Sequence, residues 1–133
     1  MPIDINYLQD DIGVEFNIWG AITGAEAIEA NKNFLKLRYK IVDRTNCTEY
    51  LINNEEIQLI VNMEKEIAKV NPNLIIALIS SSTLQYAMSR VWQQYVEVSD
   101  SGYKTAVIKD RKSAEKWIQE QLEKSNKNIN KKN

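Results

Sequence analysis

The segment LIIALIS, residues 74–80, decides how this chain folds. It is almost entirely apolar and shows no polar alternation, which is typical of a β-strand covered by helices on both faces. The polar cluster SSST, residues 80–83, completes it and leads into a helical pattern. Loops at the carboxyl ends of such strands often bind ligands in α/β proteins, so the sequence predicts a site at this junction.

Further strands lie on both sides of this segment. The alternating residues 3–8 and 14–19 predict a β-hairpin whose second strand ends at Gly20. YKIVD at 39–43 and KTAVIKD at 104–110 predict two more strands. With the helices between them, the predicted order is ββαβαβαβα, an α/β fold with a mixed sheet of about five strands and four helices.

Two helices are predicted before the segment and two after it. Residues 23–26 have the form of a capping box, and the helix they begin runs to about Leu37. A loop at 44–54 precedes the second helix, which Asn53 or Asn54 caps. The third helix follows residues 80–83, and Asp110 caps the fourth. Helical spacing predicts this buried stripe on the third helix: Leu84, Ala87, Met88, Val91 and Tyr95.

The composition is that of one globular domain. Of 133 residues, 44% are hydrophobic and 26% charged, and we assign the domain to residues 1–124. Residues 125–133 are almost all Asn and Lys, which predicts a disordered polar tail. A net charge of −1 gives no reason to expect nucleic acid as a partner. No segment approaches the roughly 20 apolar residues of a membrane span, and we expect a cytoplasmic protein.

Histidine is absent and Cys47 is the single cysteine. Ser-His-Asp and Cys-His nucleophile pairs are therefore excluded, as are an internal disulfide and a thiolate metal cluster. A nearby cation, Arg44, could activate the Cys47 thiol, but the chain offers no histidine base for catalysis. We therefore predict a protein that is not an enzyme and that needs no cofactor or metal.

Three segments resemble the SpoIIAA-like proteins, which are related in fold to STAS domains. They are WGAITGAE at 19–26, YKIVD at 39–43 and AVIKDRKSAEKWI at 106–118. Together with the element order they cover nearly all of the predicted domain. The resemblance implies a STAS-like mixed sheet and a role in binding a small ligand or a protein rather than in catalysis.

STAS antagonists carry a phosphorylatable serine at the start of the helix that follows the third strand. Asn53 and Asn54 occupy the corresponding position in this chain. Asparagine caps a helix as well as serine does, but it cannot accept a phosphoryl group. The resemblance therefore implies that the phosphoacceptor of the family is lost here.

The candidate ligand-binding residues lie at the predicted carboxyl ends of two strands: Ser80, Ser81, Ser82, Thr83, Asp43 and Arg44. Hydroxyl groups at a helix N-terminus favour an anion. The alternative is that one hydroxyl caps the helix and the others are solvated. For Asp43, a general base and a loop ion pair with Arg44 are the two interpretations.

A candidate interface lies on the third helix. Trp92 falls off the predicted apolar stripe, next to Arg90 and one turn before Tyr95. An exposed aromatic beside an arginine is typical of an interface and suggests a possible homodimer or a protein partner. The alternative is that Trp92 and Tyr95 fill the core.

These observations favour a non-catalytic cytoplasmic regulatory or small-ligand-binding module of SpoIIAA-like type. One alternative is a protein–protein interaction module that lacks the phosphoacceptor serine. A second alternative is an enzyme of unknown class that uses Asp43. The partner is thus an unknown small molecule or protein.

Overall fold

Five strands and four helices make up the part of the chain that a computed structural model describes, residues 2–9, 11–32, 37–99 and 102–131. The strands are β1 (Ile3–Leu8), β2 (Gly13–Thr23), β3 (Tyr39–Leu51), β4 (Ile75–Ile79) and β5 (Lys104–Ile108). The helices are α1 (Gly24–Ala30), α2 (Asn54–Val70), α3 (Thr83–Val98) and α4 (Arg111–Lys131). The predicted α/β class and the element order are confirmed.

The strands form one mixed sheet in the order β1-β2-β3-β4-β5. β1 pairs antiparallel with β2, and all later neighbours are parallel. Each crossover moves to the next strand in the same direction, so a single crossover hand puts α1, α2 and α3 on the same face. These helices share one apolar cluster with that face, and α4 covers the opposite face. All five residues of β4 are buried, as a strand between two helical layers requires.

β2 and β3 are longer than the sequence predicted. Gly20 does not end β2 but lies inside it with φ +67°, a conformation that favours glycine. β3 carries one extra residue opposite β2 at each of two register shifts, which are β-bulges. Beyond Asp43, β3 pairs only with β2. The predicted loop at 44–54 is therefore wrong, because the bulges break the alternation that identifies a strand.

The predicted helix caps at Thr23 and Asn53 are confirmed, and both are complete capping boxes. Oδ1 of Asn53 accepts the backbone N–H of Glu56 at 2.9 Å. Asp110 accepts the backbone N–H of Ser113 at 2.8 Å, and this bond holds the pKa of Asp110 below its ordinary value of 3.8.

Helix ends differ from the prediction in two places. α1 ends at Ala30, and residues 33–36 of the predicted first helix lie outside the described residues. α4 continues to Lys131, whereas the sequence predicted disorder from Ser125. Within the described ranges, no helix is both long and apolar enough to cross a membrane.

The buried face of α3 is not the predicted one. Leu84 is 71% exposed and Val91 is 36% exposed, whereas Trp92 is only 4% exposed. The buried positions are Ser89, Trp92, Gln93 and Val96. Ser89, Trp92 and Val96 are each one residue beyond a predicted position, and Gln93 follows Trp92. One residue along a helix corresponds to a rotation of about 100°. The prediction of an exposed Trp92 is therefore wrong.

Replacing Asn53 by alanine tests the cap of α2. We expect Asn53→Ala to lower the free energy of unfolding by about 1 kcal/mol, because it removes the acceptor for the Glu56 amide. Asn54→Ala is the matched control, since Asn54 is the first residue of the helix and its side chain is exposed. Urea unfolding of both variants measures the difference. Equal losses in the two variants would contradict this account of the cap.

Candidate ligand-binding site

A cavity of about 60 Å³ lies between the sheet and the layer formed by α1, α2 and α3. Most of its lining is apolar and comes from the four strands β1 to β4 and from these helices. Five polar side chains also line it: Asn31, Lys40, Arg44, Tyr50 and Glu64. A mainly apolar cavity with a few convergent polar groups is the usual composition of a small-molecule site.

Two cationic side chains of β3, Lys40 and Arg44, line this cavity. Lys40, Val42 and Arg44 are spaced by two residues, so their side chains point to the same face of the sheet. Lys40 is 3% exposed and Arg44 is 5% exposed. Arg44 lies within the first register shift between β2 and β3, between the paired residues Asp43 and Asn46. Bulges re-aim side chains and are frequent beside functional sites, which agrees with a special role for this position.

Lys40 is neutralised by an ion pair with Glu64 of α2, with 2.9 Å between Nζ and Oε2. Lys40 Nζ also donates to Oδ1 of Asn31 at 2.6 Å. The second carboxylate oxygen of Glu64 accepts Trp92 Nε1–H at 2.8 Å and the Tyr103 hydroxyl at 3.1 Å. This buried carboxylate therefore has a counterion and several hydrogen-bond donors, as a buried charge requires.

The donors of Glu64 explain why α3 is rotated relative to the prediction. Leaving a buried carboxylate without hydrogen-bond donors costs more free energy than is gained by burying one more aliphatic side chain. The indole N–H of Trp92 supplies such a partner, and Ser89, on the same face of α3, supplies another buried polar contact. Apolar periodicity alone could not reveal this demand.

Arg44 has no comparable counterion. Its Nη1 donates to Ser89 Oγ at 2.7 Å, and Ser89 in turn hydrogen-bonds to Ser80 at 2.7 Å. Its guanidinium lies 4.2 Å from the centre of the Tyr50 ring, in a cation–π contact. Among the described residues, no carboxylate oxygen lies within 4.0 Å of this guanidinium, and its Nε is buried without an acceptor.

Tyr50 is the aromatic neighbour of this guanidinium. Burial raises the pKa of the Tyr50 hydroxyl above its ordinary value of 10.0, and the positive charge of Arg44 and its side-chain hydrogen bonding to Tyr50 partly oppose that rise. The hydroxyl is therefore a neutral donor or acceptor at physiological pH.

Arg44 and Tyr50 also line a groove on the outside of the molecule, between α3 and the extended part of β3. The other residues of the groove are Cys47, Thr48, Glu49, Ser82, Leu84, Gln85 and Met88. The Gln85 side chain donates to the backbone oxygens of Arg44 and Cys47 at 2.8 and 3.3 Å, which ties α3 to β3. Because Arg44 and Tyr50 contribute to both spaces, they separate the groove from the cavity.

Of the predicted ligand-binding residues, the structure brings Ser80 and Arg44 together through Ser89. Ser82 is the N-cap of α3, as the alternative interpretation proposed. Ser81 is exposed and bonds to the Gln85 side chain through its N–H and its hydroxyl. Thr83 is the exposed first residue of the helix.

Asp43 does not belong to this site. It lies within β3 rather than at its end, and it follows Tyr39 and Ile41 in the alternation that faces α4. Its Oδ1 accepts the backbone N–H of Thr45 at 2.9 Å. The expected ion pair with Arg44 is absent among the described residues, because the two side chains leave opposite faces of β3.

The other predicted sites have ordinary structural surroundings. Asn53 caps α2, and Asn54 follows it as the first helical residue. The residues of the candidate interface, Trp92, Arg90 and Tyr95, do not form an exposed patch: Trp92 is buried and the other two are half-buried. Cys47 is half-buried in β3, with its Sγ 3.6 Å from the carbonyl oxygen of Glu49.

The sequence analysis missed Lys40, Tyr50, Glu64 and Ser89. A signal existed for two of them. Glu64 lies at helical spacing between the buried Val61 and Ala68, and Lys40 interrupts an otherwise apolar buried strand. Charged residues at core positions of two neighbouring elements predict a buried ion pair.

No cluster of three or more His, Cys, Asp or Glu residues able to hold a metal occurs in the described part of the chain. In comparisons with known proteins, no family model, no curated protein and no solved structure matches the chain.

The two buried cations should respond differently to removal. We expect Lys40→Met to lower the free energy of unfolding by about 3–5 kcal/mol, because it leaves the Glu64 carboxylate buried without a counterion. Arg44→Met should stay within about 1 kcal/mol of the wild type, because the lost bond to Ser89 is offset by removal of an uncompensated buried charge. Chemical denaturation followed by tryptophan fluorescence measures both. A similarly large loss of unfolding free energy in both variants would show that Arg44, like Lys40, stabilises the fold.

Stability should also fall at alkaline pH in a way that depends on Tyr50. The pKa of Tyr50 is higher in the folded protein than in the unfolded chain, so the protonated hydroxyl stabilises the fold. This stabilisation is complete below the ordinary pKa of 10.0 and is lost as the pH rises through the folded pKa. Tyr50→Phe should therefore make the alkaline decrease in melting temperature shallower. Thermal scans between about pH 9 and 11.5 measure this slope. An unchanged slope would contradict the burial of the hydroxyl.

Proposed function

We propose that this chain is a cytoplasmic, non-catalytic small-ligand-binding module of SpoIIAA-like type, with a regulatory role. Its ligand occupies the cavity beneath α2 and reaches it from the groove between α3 and β3. Support comes from the composition of the cavity, where aliphatic side chains surround a few fixed polar groups.

The observation that carries this proposal is the state of Arg44. A buried charged donor without an acceptor costs more than an unsatisfied neutral group, for which the cost is about 1–3 kcal/mol. Burial of a cation without a counterion adds to that cost. A ligand that supplies an acceptor to Nε removes both penalties, so the free protein is poised to bind one.

The SpoIIAA-like part of the proposal is supported by the element order, whereas Asn53 is a point at which the chain departs from the pattern of the STAS antagonists. In this chain the helix after β3 begins with an asparagine cap, where the STAS antagonists carry their phosphoacceptor serine. Because the Asn53 side chain is engaged in the cap, binding rather than phosphorylation is the mode of regulation that we propose.

The other two functions have less support. The hypothesis of a protein-interaction module requires an exposed Trp92, but that side chain is buried against Glu64. The hypothesis of an enzyme requires Asp43 in the site, but its side chain leaves β3 on the face opposite the cavity. A homodimer stays a prediction.

Native mass spectrometry of gently purified protein tests the proposal. We expect a small bound molecule on the wild type and its loss from Arg44→Met, because this variant lacks the guanidinium and its predicted stability is close to that of the wild type. Arg90→Met is the matched control: Arg90 is a half-buried arginine of α3 that lines neither the cavity nor the groove. The control should keep the bound molecule.

Two results together would contradict this function. The first is a wild-type protein that carries no bound molecule. The second is a screen of small neutral and charged compounds in which none perturbs the amide resonances of cavity residues such as Ile18, Val42 and Ile60.

A further inference from the structure

We propose that the ligand is a small monocarboxylate with a short hydrocarbon tail, whose carboxylate binds Arg44 and whose tail fills the apolar part of the cavity. This inference rests on the proposed function and names the class of molecule that the site selects.

The charges that line the cavity favour a single negative charge on the ligand. Its described lining contains two cations, Lys40 and Arg44, and one carboxylate, Glu64, which leaves one uncompensated positive charge. A monoanion restores neutrality. A dianion such as a phosphate monoester would place its second charge near the Glu64 carboxylate without a further cation. A neutral or cationic ligand would leave Arg44 uncompensated.

The free hydrogen-bonding capacity of Arg44 favours a carboxylate among monoanions. Nη1 donates to Ser89, whereas Nε is buried and has no acceptor in the described part of the chain. The planar guanidinium is held against the Tyr50 ring at 4.2 Å, so its donors keep a fixed direction. A carboxylate presents two oxygens in one plane, which matches the N–H groups of a guanidinium.

The size of the cavity limits the tail. About 60 Å³ is the liquid volume of about two water molecules, so the enclosed space holds only a short hydrocarbon tail while the carboxylate stays at Arg44 on its wall. The wall around that space is aliphatic: Ile18, Ile22, Val42, Ile57, Ile60 and Leu78. Such a wall rejects a polar tail, because hydroxyl or amine groups would be buried without partners. Propionate is therefore the simplest probe of the site.

Titrations followed by amide chemical shifts test the inference. The probes are propionate, propan-1-ol, propylammonium and inorganic phosphate, each at the same pH and ionic strength. We expect propionate to saturate shifts at Val42 and Ile60 with a Kd of about a millimolar, in keeping with its few atoms. It should bind at least about tenfold more tightly than the other three probes, because it alone combines a planar monoanion for Arg44 with an apolar tail for the cavity.

Variants and chain length sharpen the test. Arg44→Met should weaken propionate by about tenfold or more but leave propan-1-ol unchanged, whereas Arg90→Met should change neither. Arg44→Lys keeps the charge but loses the planar donors, so its affinity should lie between these variants. From acetate to propionate the affinity should rise about fourfold for the added methylene, and it should fall for hexanoate, which exceeds the cavity.

The outcomes separate this inference from the proposed function. Equal binding of propionate and propan-1-ol would contradict the claim that the ligand carries a carboxylate, but it would agree with a small-ligand-binding module. Tighter binding of phosphate than of propionate would show that the site prefers a tetrahedral oxyanion, and it would rule out the monocarboxylate in the same way. If no probe shifts the cavity resonances, the inference fails, and the bound molecule sought by native mass spectrometry then decides the proposed function separately.

Discussion

The carboxylate of Glu64, buried against Lys40 between α2 and β3, is the interaction on which the rest of the structure depends. Its second oxygen requires donors, and these are the Trp92 indole and the Tyr103 hydroxyl. The indole can reach Glu64 only if α3 turns its Trp92 face inward. The same rotation brings Ser89 against Arg44, so one buried ion pair determines the orientation of a helix and the surroundings of a second cation.

Lys40 and Arg44 are close in sequence and equally buried, yet their roles differ. Lys40 has a carboxylate and an amide oxygen as partners, and it belongs to the fold. Arg44 has a serine hydroxyl and the Tyr50 side chain as partners, and its Nε has no acceptor among the described residues. A protein retains such an arrangement at a loss of stability, which is typical of residues kept for binding. The proposed function and the proposed ligand both follow from this difference.

Much of the fold could be predicted because local patterns report it directly. The apolar run of β4, the caps at Thr23 and Asn53, and the element order are all visible in the sequence. The site could be predicted only in part, through Ser80 and Arg44. A prediction from apolar periodicity assumes that a helix buries only apolar side chains. Here the buried face of α3 includes polar side chains, because Glu64 requires the indole N–H of Trp92. The bulges that follow Asp43 break the alternation in the second half of β3, so the sequence pattern did not predict it.

A double-mutant cycle on Glu64 is the most direct test of this account. Glu64→Gln is combined with Lys40→Met in one cycle and with Arg44→Met in another, and the free energies of unfolding give the coupling in each pair. The account predicts a coupling of at least about 1 kcal/mol between Glu64 and Lys40, and one within about 0.5 kcal/mol of zero between Glu64 and Arg44. A larger coupling of Glu64 to Arg44 than to Lys40 would contradict it, because Arg44 would then have its counterion within the fold.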